Sequence, residues 1–116
     1  MNLDRRLVEG VTVITVAGRM TGLDSPGQLK ELVTGALGAG DRDILLHLGQ
    51  LSFVDSSFIG ELVSCCLAVA RLGGRLKLAC PVRRVQELLL ITRLTTIIES
   101  FETESMAVAS FRRPAH

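Results

Sequence analysis

Apolar positions along this chain switch between two periods, and the switches divide it into strands and helices. Val11 to Ala17 is short and β-branched, the composition of a strand. Leu3 to Val8 is placed to pair with it as a hairpin through Glu9-Gly10, and Gly18 to Leu23 then reads as a loop. Ser25-Pro26-Gly27-Gln28 carries helix-start chemistry: Ser25 as cap, Pro26 in the first turn, and Gln28 at the capping-box position. Leu29, Leu32, Val33, Ala36 and Leu37 follow at helical spacing, and Gly38 and Gly40 close that helix.

Ile44 to Leu48 is nearly continuous in apolar character, which predicts a central strand covered on both faces, and Leu51 to Val54 continues or flanks it. A long apolar helix is expected from about Ser57 to Leu72, closed by Gly73-Gly74. Arg75 to Ala79 alternates strictly, predicting a strand with one wet face. Pro81 opens a further helix with Val82, Val85, Leu88, Leu89 and Thr92 on one stripe. Thr96 to Phe101 reads as the last strand, Thr103 to Ser110 as a short final helix, and residues 112–116 as a flexible end. The order β-β-α-β-α-β-α-β-α predicts one α/β domain over residues 1–111, a mixed sheet with helical crossovers.

Composition narrows the functions such a domain can have. Hydrophobic residues make up 47% of the 116, enough for an independent core. There are four Phe and neither Trp nor Tyr, so the core is aliphatic and the stacking rings of single-strand nucleic-acid binders are missing. Thirteen basic against twelve acidic residues provide no global field for nucleic acid or an anionic membrane. The run Leu62 to Ala70 is too short to span a bilayer, and the first residues lack a signal peptide's apolar core, so the expected location is the cytoplasm. Cys65, Cys66 and Cys80 have no metal-ligand spacing and read as reduced thiols; no metal and no cofactor is expected.

The densest candidate chemistry lies at Leu51-Ser52-Phe53-Val54-Asp55-Ser56-Ser57-Phe58-Ile59-Gly60. An apolar strand breaks into an acid and two hydroxyls, and a helix begins. Capping accounts for Asp55 alone, at about 1 kcal/mol. It does not account for two successive serines. A phosphate on a hydroxyl here would meet free N–H groups and the positive end of the helix dipole. Catalysis is a poor alternative: neither a Gly-x-Ser-x-Gly elbow nor a phosphate-binding Gly-x-x-x-x-Gly-Lys motif is present. His47 lies in an apolar strand without an adjacent acid and reads as a satisfied core histidine. The paired arginines Arg83-Arg84 and Arg112-Arg113 read as solvated surface. No catalytic residue is expected.

The helix after the serines carries charge only at Glu61 and Arg71. Ile59, Val63, Cys66 and Ala70 are expected to form its buried stripe. Phe58, Leu62, Cys65 and Val69 lie beside or beyond that stripe; either the chain's own fold covers the helix or it offers an apolar patch to a partner, the favoured reading with the serines at its tip.

Taken together, Ala17-Gly18-Arg19-Met20, Leu45-Leu46-His47-Leu48, Val54 to Gly60, Leu72 to Leu76 and Val85 to Leu89 resemble the STAS-domain family. Within it, the resemblance is to the bacterial anti-sigma factor antagonists, over roughly Leu7 to Phe111. It implies a mixed sheet with helices mainly on one side. It also implies a phosphorylation-controlled partner switch. The unphosphorylated antagonist binds an anti-sigma factor that is also a serine kinase, and so releases the sigma factor. Phosphorylation of the serine after the aspartate, Ser56 here, dissociates the complex, and a serine phosphatase resets it. The chain is then a substrate, not an enzyme. Asp55 and Ser57 support the phosphosite. Thr21, Phe58, Glu61, Leu62 and Cys65 are the expected partner-binding residues, with Phe58 as an exposed anchor. A homodimer is compatible with this scheme.

The chain departs from the family pattern at Phe58, where a glycine is usual, near Thr21, where an acid is common, and at His47, where Asp or Asn is common. Two other functions stay open: an unphosphorylated STAS interaction or scaffold module in a regulatory or lipid-transport assembly, and a small enzyme or nucleotide binder using the Asp55-Ser56 loop.

Overall fold

The chain opens as a hairpin because its two-residue turn can take the required backbone. Glu9 (φ 49°) and Gly10 (φ 82°) both have positive φ, the conformation that matches the twist of the flanking strands. β1 (Asn2–Val8) thereby pairs antiparallel with β2 (Val11–Met20), Val8 opposite Val11. This computed structural model describes residues 2–23 and 27–112. β2 runs through Met20, so Gly18 to Met20 are strand rather than the expected loop. The extension is stabilised by parallel pairing with β3 (Asp43–Val54), across register shifts on either side of Ala17–Gly18.

The remaining strands follow as β4 (Arg75–Ala79) and β5 (Ser100–Phe101), both parallel to β3, in the order β1-β2-β3-β4-β5. Parallel neighbours need crossovers. Helices α1 (Gln28–Gly38), α2 (Ser56–Arg71) and α3 (Arg83–Ile91) provide them. α1 is capped by Gly27, without a side-chain cap bond; the expected capping residues Ser25 and Pro26 lie outside the described residues. α3 starts two residues beyond Pro81. Of the expected strand Thr96–Phe101 only Ser100–Phe101 is strand; a 3-10 turn at Leu94–Thr96 and an irregular stretch precede it, with Leu94 and Ile98 buried in the core. α4 (Glu104–Ser110) starts at its Thr103 cap, whose hydroxyl accepts the Met106 N–H at 3.2 Å.

Two hydrophobic layers flank the sheet. On one face Ile14, Val16, Ile44, Leu46, Leu48 and Leu78 meet α1, α2 and α3. On the other, Val11, Val13, Leu45 and Ala79 meet Ala107, Val108 and Phe111 of the α4 segment. Three helices on one side and one on the other give the expected mixed α/β domain. α4 also corrects the reading of β4: Lys77, on the supposed wet face, is only 6% exposed. Its ammonium donates to the Ser110 carbonyl and hydroxyl (3.2 and 3.0 Å) and lies 4.7 Å from the Phe111 ring centre, the partners a buried charge requires. At the chain's end, Arg112 is ion-paired with Glu9, and residues 113–116 lie outside the described residues.

Candidate functional site

The junction of β3 and α2 is built by Asp55. Its backbone is extended (φ −119°, ψ −175°), so the strand ends there and its side chain turns back over the helix start. One carboxylate oxygen accepts the Ser57 N–H at 2.9 Å, a side-chain cap. The other accepts the Gly22 N–H at 3.3 Å. The Asp55 N–H donates to the Met20 carbonyl at 3.4 Å, and the Phe58 N–H to the Asp55 carbonyl at 3.1 Å. Asp55 thus ties the end of β2 and the loop after it to the tip of α2. The sequence shows the cap but not this second grip.

Ser56 is the first residue of α2 and is exposed, as is Ser57. The two hydroxyls differ in surroundings. A β-carbon built on Gly22 would come 2.5 Å from the Ser57 oxygen and 3.2 Å from its Cβ, so Ser57 lies hard against the Gly22 backbone. Gly22 is a site residue that sequence reasoning missed. Its position just after a strand in a Thr-Gly-Leu loop was the only local signal. A phosphate on Ser56 would stand at the positive end of a sixteen-residue helix, where negative charge is favourable.

The expected partner face is corrected by burial. Phe58, Leu62 and Cys65 are each 0% exposed, and Val69 1%. They form the inward stripe of α2, packed into the main core. The stripe expected to be buried sits one residue further round: Ile59, Val63 and Cys66 are half-buried and Ala70 is exposed. In a helix with so little charge, position by position polarity cannot fix which apolar face turns inward, and the largest side chain, Phe58, takes the core. Thr21 is 6% exposed. Glu61 alone of the five expected partner residues reaches the surface, half-buried, and its carboxylate accepts the Lys30 N–H at 2.9 Å, fastening α1 to α2.

Burial pushes the Cys65 thiol up to about 12 and the Cys66 thiol up to about 11, so both stay protonated and poorly nucleophilic. The His47 Nδ1 accepts the Gly49 N–H at 3.3 Å on its own strand. Among the described residues, no group of three or more His, Cys, Asp or Glu could hold a metal, and no helix is long and apolar enough to cross a membrane. The arrangement places two exposed serine hydroxyls at the tip of α2, that of Ser57 packed against Gly22.

Residues 2–107 match the STAS domain. An anti-sigma factor antagonist homologue from Thermotoga neapolitana is 35% identical over 72 residues, 62% of this chain and 64% of the relative, so that the match spans less than two thirds of that protein. The crystal structure of an anti-sigma factor antagonist from Thermotoga maritima superposes with a TM-score of 0.87 at 23% identity, over 96% of this chain and 95% of that one. The Bacillus cell fate determinant SpoIIAA, in its phosphorylated form, superposes with a TM-score of 0.74 at 20% identity, over 95% and 99%. At these identities the two structures show a shared fold.

Proposed function

The chain belongs to the STAS-domain family, and from that premise we propose that it is an anti-sigma factor antagonist switched by phosphorylation of Ser56. Unphosphorylated, it binds an anti-sigma factor that is also a serine kinase, in the cytoplasm. That kinase transfers the γ-phosphoryl group of ATP to the Ser56 oxygen, which loses its proton, and ADP leaves. A serine phosphatase returns the hydroxyl by hydrolysis. The chain is a substrate throughout and contributes no catalytic group. The names of its relatives support the antagonist role.

The observation that carries this reading is the exposed Ser56 hydroxyl at the first position of α2, immediately after the Asp55 cap. Phosphate brings about −1.5 to −2 charges. At a helix N-terminus that charge leaves the fold intact. Its effect is on docking, where a desolvated or acid-facing phosphate is costly. The surface around it is Ser56, Ser57, Gly60 and the Gly22–Leu23 loop, all exposed, with Glu61 at its margin. Phe58 is packed inside, so the missing family glycine does not put a ring in the kinase's way.

The test is phosphorylation of the unaltered chain and of Ser56→Ala by an anti-sigma factor serine kinase with ATP, followed by phosphopeptide mapping. The expected result is a single phosphate on Ser56 in the unaltered chain and none in Ser56→Ala, which still binds the kinase. A stable complex with no phosphate transferred would favour the unphosphorylated scaffold role instead.

A further inference from the structure

β3 is flanked on both sides for only part of its length. Its pairing with β4 ends at His47 opposite Ala79, whereas its pairing with β2 continues to Val54 opposite Met20. The two chains still touch at Gly49, where an added β-carbon would lie 3.2 Å from the Cys80 Cβ. There the backbone turns away: Cys80 has φ 54°, rare for a residue with a side chain, and Pro81 follows. Past that point the second edge of β3 has no neighbouring strand among the described residues. It borders a groove of about 280 Å³ lined by Leu51, Ser52, Phe53, Val54, Val82 and Arg84.

Sheet edges are normally blunted by a charge or a proline. Residues 49–54, Gly-Gln-Leu-Ser-Phe-Val, contain neither. Residues 50–54 offer main-chain donors and acceptors over about 16 Å, the length of a short strand. Phe53 is 49% exposed, with the Arg19 guanidinium 4.7 Å from its ring centre. Among the described residues lining the groove, the ionisable side chain is Arg84, exposed at the start of α3. Main-chain groups at strand spacing select an extended peptide, and the guanidinium selects an acidic one. A second copy of this chain fits poorly, because its own edge, Gly-Gln-Leu-Ser-Phe-Val, brings no carboxylate for Arg84.

We propose that residues 50–54 are completed by an extended acidic segment of the partner protein, added as a strand to β3 with a carboxylate against Arg84. The edge ends two residues before Ser56, at most about 7 Å along the chain. Phosphate on Ser56 would therefore stand beside the docked carboxylates and repel them. That gives a phosphate which the helix tip tolerates a means of dissociating the complex. The inference rests on the preceding reading for the partner's identity and for the phosphate on Ser56.

The test is titration of the ¹⁵N-labelled chain with the peptide Thr-Val-Glu-Val-Glu-Val-Thr and with its counterpart carrying Lys for Glu. The expected result is shifted and exchange-protected amides at residues 50–54 and around Arg84, with at least tenfold tighter binding of the Glu peptide. Arg84→Glu should reverse that preference while leaving the thermal melt unchanged, and Ser56→Asp should weaken the Glu peptide severalfold. Equal binding of both peptides, changes confined to another surface, or no change at millimolar peptide would overturn the proposal. So would a dimer of the free chain that protects the same amides. No kinase enters this titration. Failure of the anti-sigma factor to bind the unaltered chain would count against the antagonist reading and leave this one standing.

Discussion

The Gly22 backbone and the Ser57 hydroxyl occupy adjoining space, with 2.5 Å between the Ser57 oxygen and the place a β-carbon on Gly22 would take. This contact separates two neighbouring serines that a linear motif cannot separate. Ser57 is an exposed residue whose oxygen is nonetheless packed on one side, while Ser56 stands clear at the helix tip. Gly22→Ala should force Ser57 out of its rotamer and lower stability. The same change in a Ser57→Ala background should cost less, since the 2.5 Å contact no longer exists. A double-mutant cycle by denaturant unfolding measures that coupling. Strict additivity would show that the two residues do not interact.

Phe58 gives the sharpest contrast between a core role and a partner role. Because it is 0% exposed among the residues of the main core, Phe58→Ala should destabilise the domain by about 3–5 kcal/mol. Phe58→Gly should cost at least as much, since glycine adds backbone entropy in a helix. Both would weaken partner binding only as far as they unfold the chain. Unchanged unfolding midpoints together with lost binding would return Phe58 to the surface.

Asp55 closes two hydrogen bonds from one carboxylate, to Ser57 and to Gly22. Asp55→Ala should lose about 1–2 kcal/mol, the upper range for an N-cap. It should also speed amide exchange at Gly22 as well as at Ser57. Asp55→Asn, which keeps an acceptor oxygen, should restore most of the cap. Faster exchange at Ser57 alone would remove the bridging role and leave a simple cap.

Much of this architecture was legible locally. The Glu9-Gly10 turn, the extent of β4 and the Asp55-capped start of α2 follow from side chains acting on their own backbone. What was not legible depended on tertiary cover. α2 is apolar on nearly every side, so its sequence does not fix which stripe faces the sheet, and Phe58, Leu62 and Cys65 were placed outward. The alternation of β4 shows two unlike faces but cannot distinguish water from α4, which buries Lys77. The local pattern ends the strand at Ala17; its extension to Met20 depends on pairing with β3, where Arg19 lies over the Phe53 ring. Gly22 became a site residue only when the chain brought it against Ser57.

The far side of the sheet should report on acid. The Arg6 guanidinium hydrogen-bonds Glu104 at 2.5 Å and holds its carboxyl below the usual glutamate range. A carboxyl with a lowered folded pKa stabilises fully above the ordinary range, near 4.3, and loses that contribution as pH falls through the folded value. Because the pair is partly exposed, the effect should be small. Glu104→Gln should flatten the acid limb of stability against pH relative to the unaltered chain. Parallel profiles for the two proteins would show that the pair adds nothing to stability.

The proposed switch is a phosphate on Ser56 that controls docking without altering the fold. The measurement that meets it most directly is the affinity of the anti-sigma factor for the chain before and after phosphorylation, by calorimetry, with thermal melts of both forms alongside. Binding at least a hundredfold weaker after phosphorylation is expected, with melting temperatures that stay within a few degrees of each other. Equal affinity of the two forms, or a lost complex accompanied by a collapsed melting temperature, would contradict it.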